Sequence, residues 1–244
     1  MGSGAETLVI HVHSTLEELA RAAADDFVKL AQDCIADHGR FTVALTGGST
    51  TRDTYELIAT DPYASRVDWA RVYVFWGDER CVPPSDDASN FRMARVALLD
   101  HVPIPPQNVH RMRGEVEPAA AAAAYESLVD EIVSDRFDLI HLGMGADAHI
   151  ASLFPGSDAL HETTRKVCAE YVDDVGMWRI TLTPVVINGA ANITFIVAGT
   201  NKAAAVARVL QGPRDPNSVP AQIVAPNGGR VVWLIDAEAA SLLR

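Results

Sequence analysis

Residues Phe137 to His149 read FDLIHLGMGADAH, and this stretch decides how the rest of the chain is to be read. Phe137 to Leu142 has the length and composition of a short strand, and it ends in a glycine loop. The glycines at 143 and 145 open space around the backbone. Asp147 then offers a carboxylate and His149 a base active near neutral pH. A strand that ends in glycines and titratable groups fits an α/β protein, because ligands of open parallel sheets bind beyond the carboxyl ends of the strands.

Outward from this stretch the same alternation repeats. Leu8 to Val12, Phe41 to Leu45, Val72 to Trp76, Val167 to Tyr171, Arg179 to Leu182, Ile193 to Val197 and Val231 to Ile235 read as strands. VYVFW, at 72–76, is nearly continuous in apolar residues, as strands buried on both faces are. Between them lie helical patterns. Thr15 to Asp37 carries Leu16, Leu19, Ala20, Ala23, Phe27, Leu30, Ala31, Cys34 and Ile35 at helical spacing and stops before Gly39. Helices are also expected at 51–59, from a Ser89 cap to Leu99, at 118–134 with Pro118 in the first turn, at 202–210 and at 237–243. Asp78 to Ser89 and His101 to Arg113 read as loops. Alternating strands and helices imply a mainly parallel sheet with helices on both faces. No linker and no internal repeat interrupts the chain, so residues 1–244 are read as a single α/β domain.

Composition narrows the function. The formal net charge is −12 and the pI is near 5.0. Such a chain is a poor non-specific binder of nucleic acid or of anionic membrane, both of which need clustered Lys and Arg. Any positive charge for an anionic substrate must be local. Cys34, Cys81 and Cys168 are far apart, without zinc spacing or a disulfide pattern, and read as reduced thiols. No apolar run reaches membrane-spanning length and no leader pattern opens the chain, so the expected location is cytoplasmic. Met1 to Gly4 reads as a short flexible start.

Four segments at strand ends carry polar residues that packing does not explain. Thr46-Gly47-Gly48-Ser49-Thr50 follows FTVAL, where two glycines, two hydroxyls and a helix N-terminus suit an anion. It is not a P-loop, since no Lys follows at that spacing. Gly77-Asp78-Glu79-Arg80 places three charges directly after a buried strand, where unpaired charge is costly. The third segment runs from Leu142 through Asp147 and His149 to Gly156. Asp147 and His149 form an orienting pair, or each faces the ligand. The fourth comprises Arg179, which opens RITL, and Lys202 in the turn Gly199 to Lys202; a bidentate clamp and a point charge could complete an anion site.

Taken together, these segments resemble the sugar-phosphate lactonase and isomerase group, and within it most closely the 6-phosphogluconolactonases. The pieces that carry the resemblance are LTGGST (45–50), FWGDERCVP (75–83), Ser89-Asn90, LGMGADAHIASLFPGS (142–157), RITLT (179–183) and GTNKA (199–203). They occur in family order along nearly the whole chain. The resemblance implies a Rossmann-like sheet, hydrolysis of 6-phosphoglucono-1,5-lactone to 6-phosphogluconate, and no metal or organic cofactor. It implies His149 as the base acting on water, with Arg80 stabilising the oxyanion or the sugar hydroxyls. Asp78 and Asp147 would orient Arg80, His149 or the sugar. Gly47, Gly48, Ser49, Thr50, Arg179 and Lys202 would hold the phosphate. The expected partner is a small phosphorylated lactone, with no nucleic acid and no membrane, and the chain would be a monomer or a small homo-oligomer.

Two positions depart from the family pattern. Thr51 stands where a proline is usual, a mild change because proline only presets a helical φ. Ala148 stands where a glycine is usual, and alanine resists positive φ. The glucosamine-6-phosphate deaminases resemble the chain at the phosphate and histidine loops. They usually carry a carboxylate shortly after the histidine, and Ala151 to Pro155 reads ASLFP. They also usually carry Asp-Glu-Tyr where this chain has Asp78-Glu79-Arg80. A non-catalytic sugar-phosphate binder is a further alternative, although a sensor needs no base.

Overall fold

The computed structural model describes residues 7–133, 135–226 and 228–244, apart from the side chains of residues 7 and 174. The first strand, β1 (Thr7–His13), leads to α1 (Leu16–His38), whose start is fixed by a reciprocal cap. Thr15 Oγ1 accepts from the Glu18 N–H at 3.1 Å, and the Glu18 carboxylate accepts from the Ser14 N–H at 2.9 Å. The apolar stripe of α1 buries Leu19, Ala23, Phe27, Val28 and Ala31 against the sheet. The chain then alternates through β2 (Phe41–Leu45), α2 (Ser49–Ile58), β3 (Val72–Trp76), β4 (Asp78–Arg80), α3 (Asn90–Ala97), α4 (Pro118–Leu128) and β5 (Leu139–Leu142). It closes with β6 (Val167–Val172), β7 (Met177–Leu182), α5 (Pro184–Ile187), β8 (Asn192–Val197), α6 (Ala203–Gln211) and β9 (Arg230–Asp236).

Six strands form a parallel sheet in the order β1-β9-β8-β5-β2-β3. Central β2 and β5 are buried at every residue, which is why FTVAL and LIHL carry almost no polar side chains. From β2 the chain steps one way to β3, and from β5 it steps the other way to β8 and β9. The order therefore reverses between β2 and β5, and the loops after these two strands open the crevice where such sheets bind ligands. The α/β class and the single-domain arrangement expected from the sequence hold.

The sheet is mainly parallel, as expected, and three details go beyond or against the sequence reading. First, three strands lie outside the parallel sheet. β4, β7 and β6 form a separate antiparallel sheet of three strands. The turn Asp173 to Gly176 between β6 and β7 is a short hairpin connection, too tight for a crossover to a parallel neighbour. Second, Asp78 to Arg80 is a strand, not part of a loop, although its three charged residues show no strand alternation. Third, residues 237–242 form turns where a helix was expected. There Asp236 Oδ1 accepts from the Ala239 N–H at 2.7 Å, as an N-cap does, but after the bond from the Ala240 N–H to the Asp236 carbonyl the chain continues in i to i+3 turns, Ser241 to Glu238 and Leu243 to Ala240. The helix expected at 118–134 is α-helical to Leu128 and continues as a π-helical turn, Val129–Val133; Ser134 lies outside the described residues, as does Met1 to Gly4.

Candidate active site

The four loops converge. A cavity of about 260 Å³ at the carboxyl ends of β2, β3 and β5 is lined by Thr46, Gly47, Gly48, Asp78, Arg80, Asn90, Gly143, Gly145, His149, Arg179 and Lys202, among others. An adjoining hollow of about 130 Å³ is lined by Gly47, Gly48, Ser49, Thr50 and Lys202. All ten residues singled out in the sequence lie on or beside this crevice; Asp147 reaches it through its bond to His149.

His149 is held on two sides. Asp147 Oδ1 lies 2.7 Å from its Nδ1 and accepts from its backbone N–H at 3.2 Å. Phe154 stacks on the imidazole with ring centroids 4.1 Å apart. The fit leaves no room at Gly145, where a Cβ would lie 2.2 Å from His149 Nδ1 and 2.3 Å from Asp147 Oδ1. Burial pushes the Asp147 carboxyl up, but the hydrogen bonds and charge of His149 outweigh it, and the net shift is downward. An ionised Asp147 requires a proton on Nδ1, which leaves the Nε2 lone pair free to act as a base. Of the two arrangements the sequence left open, the orienting pair is the one present.

Ala148 has φ 71°, so the alanine adopts the left-handed conformation that glycine enters without strain. The imidazole is not turned away, since His149 and Arg80 line the same cavity.

Asp78 belongs to a different pairing. It is 4% exposed, with Oδ2 accepting from Ser152 Oγ at 2.7 Å and Oδ1 accepting from Asn90 Nδ2 at 3.0 Å. Arg179 Nη1 lies 3.7 Å from Oδ2. Antiparallel pairing sets Arg80 opposite Arg179 across β4 and β7. Two cations side by side need an anion, and Asp78 supplies only part of it. Burial lowers the Arg179 guanidinium pKa; Asp78 opposes this and Arg80 adds to it. The buried Nε atoms of both arginines have no hydrogen-bond partner in the protein. These are donors that an oxygen-rich ligand would satisfy. Burial also lowers the Lys202 ammonium pKa, partly opposed by Asp147.

Glu79 supports this arrangement from behind. Only 2% exposed, it accepts from the N–H groups of Arg80, Asn90 and Phe91 and from Ser89 Oγ, at 2.7–2.9 Å. It thereby fixes the start of α3 and aims Asn90 at the crevice. A Cβ on Gly47 would meet Asn90 Oδ1 at 2.0 Å, so the glycine lets the two loops touch. Ser152 and Phe154 were not singled out in the sequence. Both sit in the ASLFP stretch, where an isolated serine and phenylalanine look like ordinary packing.

Charge decides which cavity suits an anion. A larger groove of about 660 Å³ lies beyond Asp147, lined by Phe154, Asp158, Glu170, Tyr171, Asp173 and Trp178. Its charged groups are all acidic. The smaller cavity holds Arg80, Arg179 and Lys202 with Asp78 alone opposing them.

The comparisons agree with this geometry. The family model described as glucosamine-6-phosphate isomerases/6-phosphogluconolactonase matches residues 14–233. A 6-phosphogluconolactonase of Nostoc is 41% identical over 216 residues, covering 86% of this chain and 87% of that protein. A probable 6-phosphogluconolactonase of Arabidopsis thaliana is 36% identical, covering 96% of this chain and 93% of its own. The solved structure of 6-phosphogluconolactonase from Trypanosoma brucei superposes with a TM-score of 0.87 at 29% identity, covering 98% of this chain and all of that one (100%). The chain belongs to the glucosamine-6-phosphate isomerase/6-phosphogluconolactonase family.

Proposed function

We propose that this protein hydrolyses 6-phosphoglucono-1,5-lactone to 6-phosphogluconate in the oxidative pentose phosphate pathway, as a cytoplasmic enzyme acting on a small phosphorylated sugar lactone. The observation that carries the reading is the oriented Asp147–His149 pair facing Arg80, Arg179 and Lys202 across one cavity. It supplies a base and an anion site, the two requirements for opening a phosphorylated ester ring with water.

In this reading the phosphate rests on the Gly47 to Thr50 backbone at the start of α2, with Lys202 and Arg179 supplying charge. The helix N-terminus has no side-chain cap, so its first N–H groups are available to an anion. His149 Nε2 takes a proton from water as it attacks the C1 carbonyl. Arg80 stabilises the developing oxyanion or the neighbouring hydroxyls. The imidazolium then returns its proton to the ring oxygen as the C1–O bond breaks. Asp147 keeps the tautomer and balances the transient charge, while Asp78 sets the angle of Arg179. No serine elbow of the G-x-S-x-G kind is present in the sequence, so water is the nucleophile.

A paired assay tests the reading. Freshly made lactone should be hydrolysed well above its spontaneous rate, with no ammonia released from glucosamine 6-phosphate by the same preparation. Ammonia release, or lactone decay at the uncatalysed rate, would overturn it. No helix among the described residues is long and apolar enough to cross a membrane.

A further inference from the structure

At the amino ends of the strands, opposite the catalytic crevice, the last turn of α1 meets the entry to β5. Cys34 and His38 lie four residues apart and share a helix face. The chain before β5 places Asp138 against them. Cys34 Sγ, an imidazole nitrogen of His38 and an Asp138 carboxylate oxygen all lie within 4.8 Å of one another. His38 Nε2 is 3.0 Å from Asp138 Oδ1. Asp138 Oδ2 accepts from the Thr42 N–H at 2.7 Å and from its hydroxyl at 2.8 Å, so the carboxylate is fixed from behind.

We propose that Cys34, His38 and Asp138 bind one divalent transition-metal ion of the zinc class. A thiolate with an imidazole selects Zn²⁺ or Co²⁺ over Mg²⁺ and Ca²⁺. Three protein ligands with a fourth position open to water form a known zinc arrangement. With metal–ligand bonds of about 2.0–2.3 Å, tetrahedral ligand atoms sit about 3–4 Å apart, so the cluster closes by roughly 1 Å. The Thr42 bonds to Asp138 are the outer shell that a metal-bound carboxylate needs. The electrostatics favour a cation. The site lies at the carboxyl end of α1, the negative end of its dipole. The His38 side chain is 41% exposed and gives an entry path.

Without metal, Asp138 accepts hydrogen bonds from the thiol and the imidazole. On binding, the thiol proton goes to solvent and the imidazole carries its proton on Nδ1, so one proton is released per ion. The site uses no residue of the crevice and would tie α1 to β2 and β5.

Titration of the intact protein with Co²⁺, with Zn²⁺ as competitor, tests this. Expected are one saturable site, a near-ultraviolet sulfur-to-cobalt band, and one proton released by calorimetry in two buffers of different ionisation enthalpy. Cys34→Ala should abolish the band. His38→Gln, a change at a partly exposed position, should weaken binding by about tenfold or more. Cys81→Ala/Cys168→Ala should leave both signals intact. Persistence of the band in Cys34→Ala, unchanged affinity in His38→Gln, or no saturable binding at millimolar Co²⁺ would overturn the site.

Discussion

Asp147 and His149 face each other across a single residue, with Oδ1 2.7 Å from Nδ1. Because the Asp147 carboxyl is drawn below its ordinary value, it stays ionised throughout the neutral range. Its task is to hold the tautomer and to balance the imidazolium. Asp147→Asn removes that charge and lets the ring carry its proton on the wrong nitrogen. We expect kcat to fall about 10- to 1,000-fold with KM little changed, and His149→Ala to fall about 100- to 10,000-fold. Proton release from freshly made lactone measures both. A near-normal kcat in either variant would remove that residue from the mechanism.

Lys202 should act on binding and not on chemistry. Lys202→Ala is expected to raise KM for the phosphorylated lactone by tenfold or more, about 1.4 kcal/mol, and to leave the unphosphorylated lactone almost unaffected. The pH dependence has a definite sign. Burial lowers the Lys202 pKa from 10.5, so the ammonium that attracts phosphate is lost as pH rises through a value below that of an ordinary lysine. Calorimetric affinity for 6-phosphogluconate should therefore weaken on the approach to pH 10.5, and Lys202→Arg should flatten that decline. Equal KM effects on both lactones would exclude Lys202 from the phosphate site.

The residues that bear chemistry were legible because they violate packing expectations. Asp78, Arg80, Asp147 and His149 sit at strand ends where apolar or turn residues would suffice. The phosphate loop was legible for the same reason, since two glycines and two hydroxyls there exceed what a turn requires. The antiparallel sheet was not legible. β4 has three residues and no alternation, and only its pairing with β7 makes it a strand. Partnership was equally hidden. The separation of 74 residues between Ser152 and Asp78, and the stacking of Phe154 on His149, are consequences of the fold that no local window contains.

Glu79 offers a test of indirect support. All four of its hydrogen bonds come from donors, three of them backbone N–H groups at Arg80, Asn90 and Phe91. Glu79→Gln converts one acceptor oxygen into an NH₂ group facing those donors. At least one buried donor then loses its partner, at a cost of about 1–3 kcal/mol. Chemical denaturation should record that loss. Asn90 should shift as well, and kcat/KM should fall although Glu79 does not line the cavity. Unchanged stability would mean that α3 is positioned by other contacts.

Ala148 poses the sharpest question, because three small terms compete there. An alanine at φ 71° carries about 1–2 kcal/mol of strain that glycine would not. Against this, glycine costs about 0.4–1 kcal/mol through the freer unfolded chain. The Ala148 methyl is fully buried, at 0% exposure within the main core, and its removal forfeits about 0.8 kcal/mol. The sum is near zero. Ala148→Gly should change stability by less than about 1 kcal/mol and kcat by less than about twofold, since the backbone already has the conformation that glycine favours. Ala148→Val should do neither. A branched side chain at positive φ inside a packed core should cost about 2 kcal/mol or more and displace His149, so kcat falls with stability. Thermal melts and lactone turnover on the two variants separate the cases. A clear rise in kcat for Ala148→Gly would mean that alanine holds the imidazole off its best position.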